Sequence, residues 1–228
     1  IRFIHLILGL WFLLFSIPLL FISKINHVAT KYINGAYQET KSLIWKDGLT
    51  NIGRFLLARL FYVDGLVIIT TTIGIFGTSV MGLPLYQILF LGLLANISGA
   101  LGCYLFGFLI KNDKFTIILT LIILILIILA ISVNTDQIIF MILVIIATFF
   151  TGPLQSSSRV VMANLTDDNK QGFSFGIFTL SGKITAFLGP ICAALLTFLI
   201  SQRIGFAFSI ILLSLGLILM LKVNYKKN

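Results

Sequence analysis

The sequence predicts an all-α fold, a polytopic bundle of helices that cross a lipid bilayer. Three observations carry this prediction. Of 228 residues, 59% are hydrophobic and only 10% charged, with a mean hydropathy of +1.12. A soluble domain of that composition lacks the charged residues its exterior needs. The apolar residues gather into runs of roughly 20 or more, the length that spans a hydrocarbon core. Most of the charges fall between those runs. In lipid the backbone must bond to itself, so each run is a helix.

Taken in order, the runs are 3–23, 55–78, 86–110, 115–133, 138–162, 173–200 and 204–221, which makes seven expected spans. Residues 1–23 have no basic start followed by a small-residue cleavage site, so they read as a span and not a signal peptide. The chain opens on Ile1 already apolar, and the expectation is that further chain precedes it. Runs 115–133 and 204–221 are apolar on all sides and are expected to face lipid. Runs 55–78, 86–110, 138–162 and 173–200 carry polar, charged and small residues and are expected to form the interior. On 86–110, Ala95, Gly99, Cys103 and Gly107 recur every four positions, a stripe along which another helix can approach closely.

Most of the lysines and arginines behind the net charge of +9 lie between the spans, which argues against a nucleic-acid partner. Lys24, Lys31, Lys41, Lys46 and Arg54 lie in 24–54, Lys111 and Lys114 in a later loop, then Lys170, then Lys222, Lys226 and Lys227 in the tail. The opposite loops, near Gly82 and Asp136 and at Arg203, hold one basic residue between them. The positive-inside rule then places the C-terminus in the cytoplasm and the N-terminus of this chain outside. The two cysteines, Cys103 and Cys192, both lie within spans and imply neither a disulfide framework nor a metal site. No HExxH, GxSxG or phosphate-loop motif is present. The expectation is a protein that is not an enzyme and uses no cofactor.

Four ionisable residues lie within the interior spans: Arg59, Asp64, Arg159 and Lys183. Charge within a bilayer is costly and marks a site by default. At the helical rise, Asp64 lies about 13 Å beyond Phe55 and Lys183 about 15 Å beyond Phe173, both near mid-membrane. Arg59, about 6 Å in, and Arg159, near the end of its span, have the reach to snorkel or to anchor an inner gate. Asp64 and Lys183 read alternatively as a structural ion pair. Two Gly-Pro pairs, Gly152-Pro153 and Gly189-Pro190, predict helix breaks. Gln155 and Ser156 follow the first, with Gln155 and Arg159 on one face; Ser181 precedes the second. Polar side chains beside broken helices are the make-up of a transporter site, and Asn96, mid-span among small residues, joins the set. Interhelical hydrogen bonding is the plainer role for the serines and for Asn96.

The strings RFLLARLFYVDGL (54–66), GPLQSSSRVVMANLT (152–166), FGIFTLSGKITAFLGP (175–190) and SQRIGFAF (201–208) together resemble the C-terminal half of one branch of the major facilitator superfamily. That branch holds the bacterial "unknown major facilitator" proteins and the fungal vacuolar effluxers tied to autophagy. The resemblance covers 50–222. It implies a C-terminal six-helix half spanning 55–221, preceded by one helix at 1–23 that matches the sixth of twelve. It further implies an inter-half cytoplasmic loop at 24–54 and a cytoplasmic tail at 222–228. It places 55–78 and 138–162 beside the cavity, 86–110 and 173–200 at the interface between halves, and 115–133 and 204–221 outermost. One departure stands out: facilitators often carry a Gly-x-x-x-Asp-Arg-x-Gly loop after the eighth span, whereas here Lys111 follows Gly107 at the aspartate position.

The function this implies is secondary active transport of a small polar solute by alternating access across the cell membrane, in a bacterium the inner membrane. The fungal members' link to amino-acid release makes amino acids the suggested class. The partners expected are membrane lipid, an anionic or zwitterionic solute, and a missing N-terminal transporter half. Two rival readings remain: a seven-span receptor-like protein, and an inactive remnant of a transporter. Lys183 in the sixth span, not the seventh, weighs against a retinal-type receptor.

Overall fold

The computed structural model describes residues 8–17, 29–46, 48–167, 170–184 and 186–224, and leaves aside the side chains of 29–34, 36 and 37. Most of these residues are helical, and no strand is present among them. Two compact units divide the chain, Ile1–Thr40 and Lys41–Asn228. The first contains helix α1 (Leu8–Ile17) and most of α2 (Ala29–Ile44). The rest of the first predicted span, 3–23, lies outside the described residues.

The second unit holds α3 (Asn51–Ser79), α4 (Leu85–Leu109), α5 (Asp113–Val133), α6 (Gln137–Leu165), α7 (Gln171–Ser181), α8 (Leu188–Leu199) and α9 (Gln202–Leu221). Among the described residues, α3, α4, α5, α6 and α9 are long and apolar enough to cross a membrane. The protein is thus an all-α membrane helix bundle. The run 173–200 is not one helix: α7 stops at Ser181 and α8 starts at Leu188.

Side chains from neighbouring segments tie the ends together. At one end, Asn224 N donates to Asn51 Oδ1 at 3.2 Å, and Lys114 Nζ donates to Val223 O at 2.6 Å and Leu221 O at 3.3 Å. At the other, Gln137 Nε2 donates to Met81 O at 2.7 Å, and Arg203 Nη1 donates to Ser132 O at 2.8 Å and Asn134 O at 2.7 Å. Lys114, at the start of α5, therefore satisfies the carbonyl end of α9, while Arg203, at the start of α9, satisfies the carbonyl end of α5. A cation at a helix C-terminus also complements the helix dipole.

α3 packs most extensively on α9, α4 on α6, and α5 on both α6 and α9. Glycines permit the closest approaches. A Cβ on Gly216 of α9 would lie 2.8 Å from Tyr62 Cβ and 3.1 Å from Ala58 O on α3. Between α4 and α6, Gly99 and Gly102 face Thr148 O and Phe149 O, and Gly152 faces Gly99 O and Cys103 Sγ. This is the predicted small-residue stripe with Gly102 added to it; Gly107 has no neighbour within 4 Å.

Two expectations are corrected. α5 is not left to lipid: half of its apolar window is buried, the same share as α3 and the largest of the five, whereas α4 and α6 are the least enclosed at 22% and 28%. Protein neighbours and lipid tails are equally apolar, so an unbroken Ile/Leu run fits either. The Gly152-Pro153 pair does not interrupt α6, which runs from Gln137 to Leu165. Pro153 has no N–H for Phe149 O, and that freed carbonyl is the one Gly102 packs against,.

Candidate functional site

α7, α3 and α6 meet around an open cavity of about 550 Å³ lined by Arg59, Arg159, Phe175, Phe178, Thr179, Gly182 and Lys183. Among the described residues, its lining has three cationic side chains and no carboxylate. The structure therefore brings together three of the four ionisable residues singled out from the sequence.

The cavity exists because α7 ends there. Gly182 N turns back to Leu180 O, which leaves Phe178 O without its helical partner. Arg59 Nη1 fills that role from α3, donating to Phe178 O at 2.7 Å and to Ser181 Oγ at 3.2 Å. Ser181 Oγ donates in turn to Phe178 O at 2.8 Å. The guanidinium lies 3.6 Å over the Phe178 ring, a cation–π arrangement, and Phe178 stacks on Phe55 at 6.3 Å. Arg59 is only 8% exposed, held against α7 by these contacts.

Gly182, Lys183 and Ile184 leave the helix after Ser181, and the side chain of Lys183 is exposed. The interruption thus begins at Gly182. Pro190 stands in the first turn of α8, where an N–H has no intrahelical partner and proline is tolerated. Gly189 lets that first turn rest against Asp64 O and Ile68 of α3.

Asp64 is buried at 5% exposure and engaged in an interaction, but it is not among the residues lining the cavity. Arg159 is exposed and lines it; Gln155 is exposed one turn away on the same face of α6. Ser156 lies elsewhere, in a smaller cavity of about 350 Å³ with Cys103, Lys111 and Asp113. Asn96 is exposed on α4, its amide donating to Gly92 O of its own helix at 2.8 Å. The proposed set thus divides between the cationic cavity and other faces of the bundle.

Some of the surrounding residues gave no signal in the sequence. Phe175, Phe178 and Thr179 are ordinary residues of an apolar helix until α7 ends beside them. Tyr62, fully buried on α3, shares a 2.7 Å hydrogen bond with Ser158 of α6. Ser158 Oγ donates to Leu154 O, so the tyrosine hydroxyl is the donor. This bond fixes α3 to α6 one turn below Arg59. Among the described residues, no three His, Cys, Asp or Glu side chains cluster to hold a metal ion.

An open cationic cavity beside a broken helix, within an apolar bundle, suits binding of an anionic group. Comparison with curated proteins returns no match. The family described as "Vacuole effluxer Atg22 like" matches residues 1–228, and the chain belongs to that family, whose members are transporters of the major facilitator type.

Proposed function

We propose that the protein is part of a secondary active transporter that moves a small solute bearing a carboxylate, amino acids being the leading class, by alternating access. The carrying observation is the cavity lined by Arg59, Arg159 and Lys183, with no carboxylate in its lining among the described residues. Uncompensated positive charge in a membrane is costly, and a carboxylate meets it with charge-assisted hydrogen bonds. Phe175 and Phe178 add an apolar wall for the solute's body. Asp64 lies outside that lining, so this reading gives it proton coupling and not the solute's ammonium group.

The low enclosure of α4 and α6 supports a further part of the proposal: their exposed faces meet an N-terminal transporter half. The basic end of the bundle is assigned to the cytoplasm of a cell membrane.

The test uses the full-length protein reconstituted in lipid vesicles, with counterflow of amino acids compared with that of neutral sugars. Amino-acid counterflow is expected to fall by roughly tenfold in Lys183→Ala, the loss of one charge-assisted contact. Asp64→Asn is expected to keep counterflow while abolishing accumulation driven by a proton gradient. Sugar counterflow that ignores Lys183→Ala would overturn the carboxylate reading.

A further inference from the structure

The three cations of the cavity are not equivalent. Arg159 and Lys183 are exposed, with their charge open to a solute. Arg59 is buried, and its Nη1 is already committed to Phe178 O and Ser181 Oγ. Its Nε is buried with no hydrogen-bond partner, and the face of its guanidinium is covered by the Phe178 ring. Gly182 leaves the room in which the group sits: a Cβ there would lie 2.5 Å from Nη1, 3.1 Å from Nη2 and 3.2 Å from Cζ.

We propose that Arg59 is a positioning residue: from α3 it caps the carbonyl end of the α7 half-helix and so holds the interruption that presents Lys183 to the cavity. α7 lacks a side-chain N-cap, and it packs on α3 and α6 far less extensively than α3 packs on α9. Phe178 O also accepts from Ser181 Oγ of α7 itself at 2.8 Å, but Arg59 is the donor that ties it to another helix, at 2.7 Å, and losing a buried hydrogen bond to a charged group costs free energy. The C-terminal position of that carbonyl also makes a cation favourable there. Solute contact then falls chiefly to Arg159 and Lys183. The inference builds on the solute-site reading of the cavity, but it is tested without any solute.

The experiment is amide hydrogen exchange on the full-length protein in lipid nanodiscs, comparing peptides from 171–184 with peptides from α9. Arg59→Ala is expected to speed exchange in 171–184 by about tenfold or more while leaving α9 unchanged. Arg59→Lys should restore most of the protection, because an ammonium on a long stem still reaches Phe178 O. Gly182→Ala displaces the flexible guanidinium without removing it and should reproduce a weaker form of the Arg59→Ala effect. Arg159→Ala, which removes charge from the same cavity and leaves the Arg59 bond to Phe178 O in place, should change nothing in 171–184. Unchanged exchange in both Arg59→Ala and Gly182→Ala overturns the proposal. So does a rise that extends through α9, or equal failure of the lysine and alanine variants. If Arg59→Ala does not accumulate, Gly182→Ala and Arg59→Lys decide alone. A local opening of α7 combined with transport indifferent to Lys183→Ala would support the cap and remove the solute reading.

Discussion

The α3–α5–α9 layer and the α7–α8 pair lie in one bundle and are held by different means. In the layer, Thr50, Asn112 and Ser201 cap the N-termini of α3, α5 and α9. Lys114 and Arg203 close the carbonyl ends of α9 and α5. Gly65 and Gly216 bring α3 and α9 into backbone contact. α7 and α8 have no side-chain N-caps, and Gly172 and Gly176 of α7 have nothing within 4 Å. At the carbonyl end of α7, Arg59 from another helix donates to Phe178 O alongside Ser181 Oγ. The layer is built as a fixed wall, whereas α7 is joined at its carbonyl end to α3 through the Arg59 hydrogen bond. In a transporter, elements that move are drawn from the least stable parts of the fold.

The largest expected effect is on the wall. Gly216→Leu places a branched side chain where a single Cβ already meets Tyr62 Cβ at 2.8 Å and Tyr62 N at 3.0 Å. Backbone atoms cannot turn aside as a side-chain tip can. We expect no folded protein from Gly216→Leu, and about 1–3 kcal/mol of destabilisation from Gly216→Ala. Detergent-solubilised protein measured by size-exclusion chromatography and thermal unfolding reads both. A Gly216→Leu variant that folds normally would mean α3 and α9 are not locked together.

The reciprocal caps come next. Arg203→Ala exposes the carbonyls of Ser132 and Asn134, and Lys114→Ala those of Leu221 and Val223. Each is expected to cost about 1 kcal/mol, seen as a lower Tm. The two sites are at opposite ends of the bundle, so the double variant should lose the sum. A double variant no worse than either single one would show that the ends are not independent ties.

How far the sequence reveals this contrast depends on the solvent each residue meets. The long helices are legible because a membrane span must be apolar over its whole length. Runs at 55–78, 115–133 and 204–221 fall within α3, α5 and α9, and the structure adds mainly the capping turns. What packs against each span is not legible. Thr116 and Thr120 of α5 are buried and Ile122 and Leu126 are exposed, yet all lie in one apolar run. Arg59 and Lys183 were legible as charges in a membrane. The partner of Arg59 was not, because it is a backbone carbonyl, Phe178 O, that becomes available only where α7 stops. The Gly-Pro pairs pointed to interruptions at 152–153 and 189–190. One is absorbed into α6, and the other stands inside the first turn of α8 with the interruption before it.

On the α7 side of the comparison, a stabilising change is expected. Gly176 is exposed, mid-helix and without neighbours, so Gly176→Ala adds helix propensity with no clash. Up to about 1 kcal/mol of local stability should result, read as slower amide exchange in 171–181. Transport, if it requires α7 to move, should slow while the overall Tm stays near that of the parent. A large rise in Tm would instead place α7 within the same cooperative unit as the wall.

The smallest effect is expected at Pro190, and it separates two explanations of the interruption. A proline in a helix interior costs about 3 kcal/mol, so if Pro190 caused the break, Pro190→Ala would let α7 and α8 join and the protein would gain much of that. Pro190 instead occupies the third position of α8, after Phe187 at the cap, where its missing N–H removes no intrahelical bond. The break is fixed on either side of it. Arg59 seats the end of α7 against Gly182, and Gly189 seats the start of α8 against Asp64 O. Restoring an N–H at 190 changes neither seat. Pro190→Ala should therefore shift stability by no more than about 0.5 kcal/mol, with amide exchange across 182–187 as fast as in the parent. Protection spreading through 182–187, with a clear rise in Tm, would show that the proline makes the interruption and that the arginine cap follows from it.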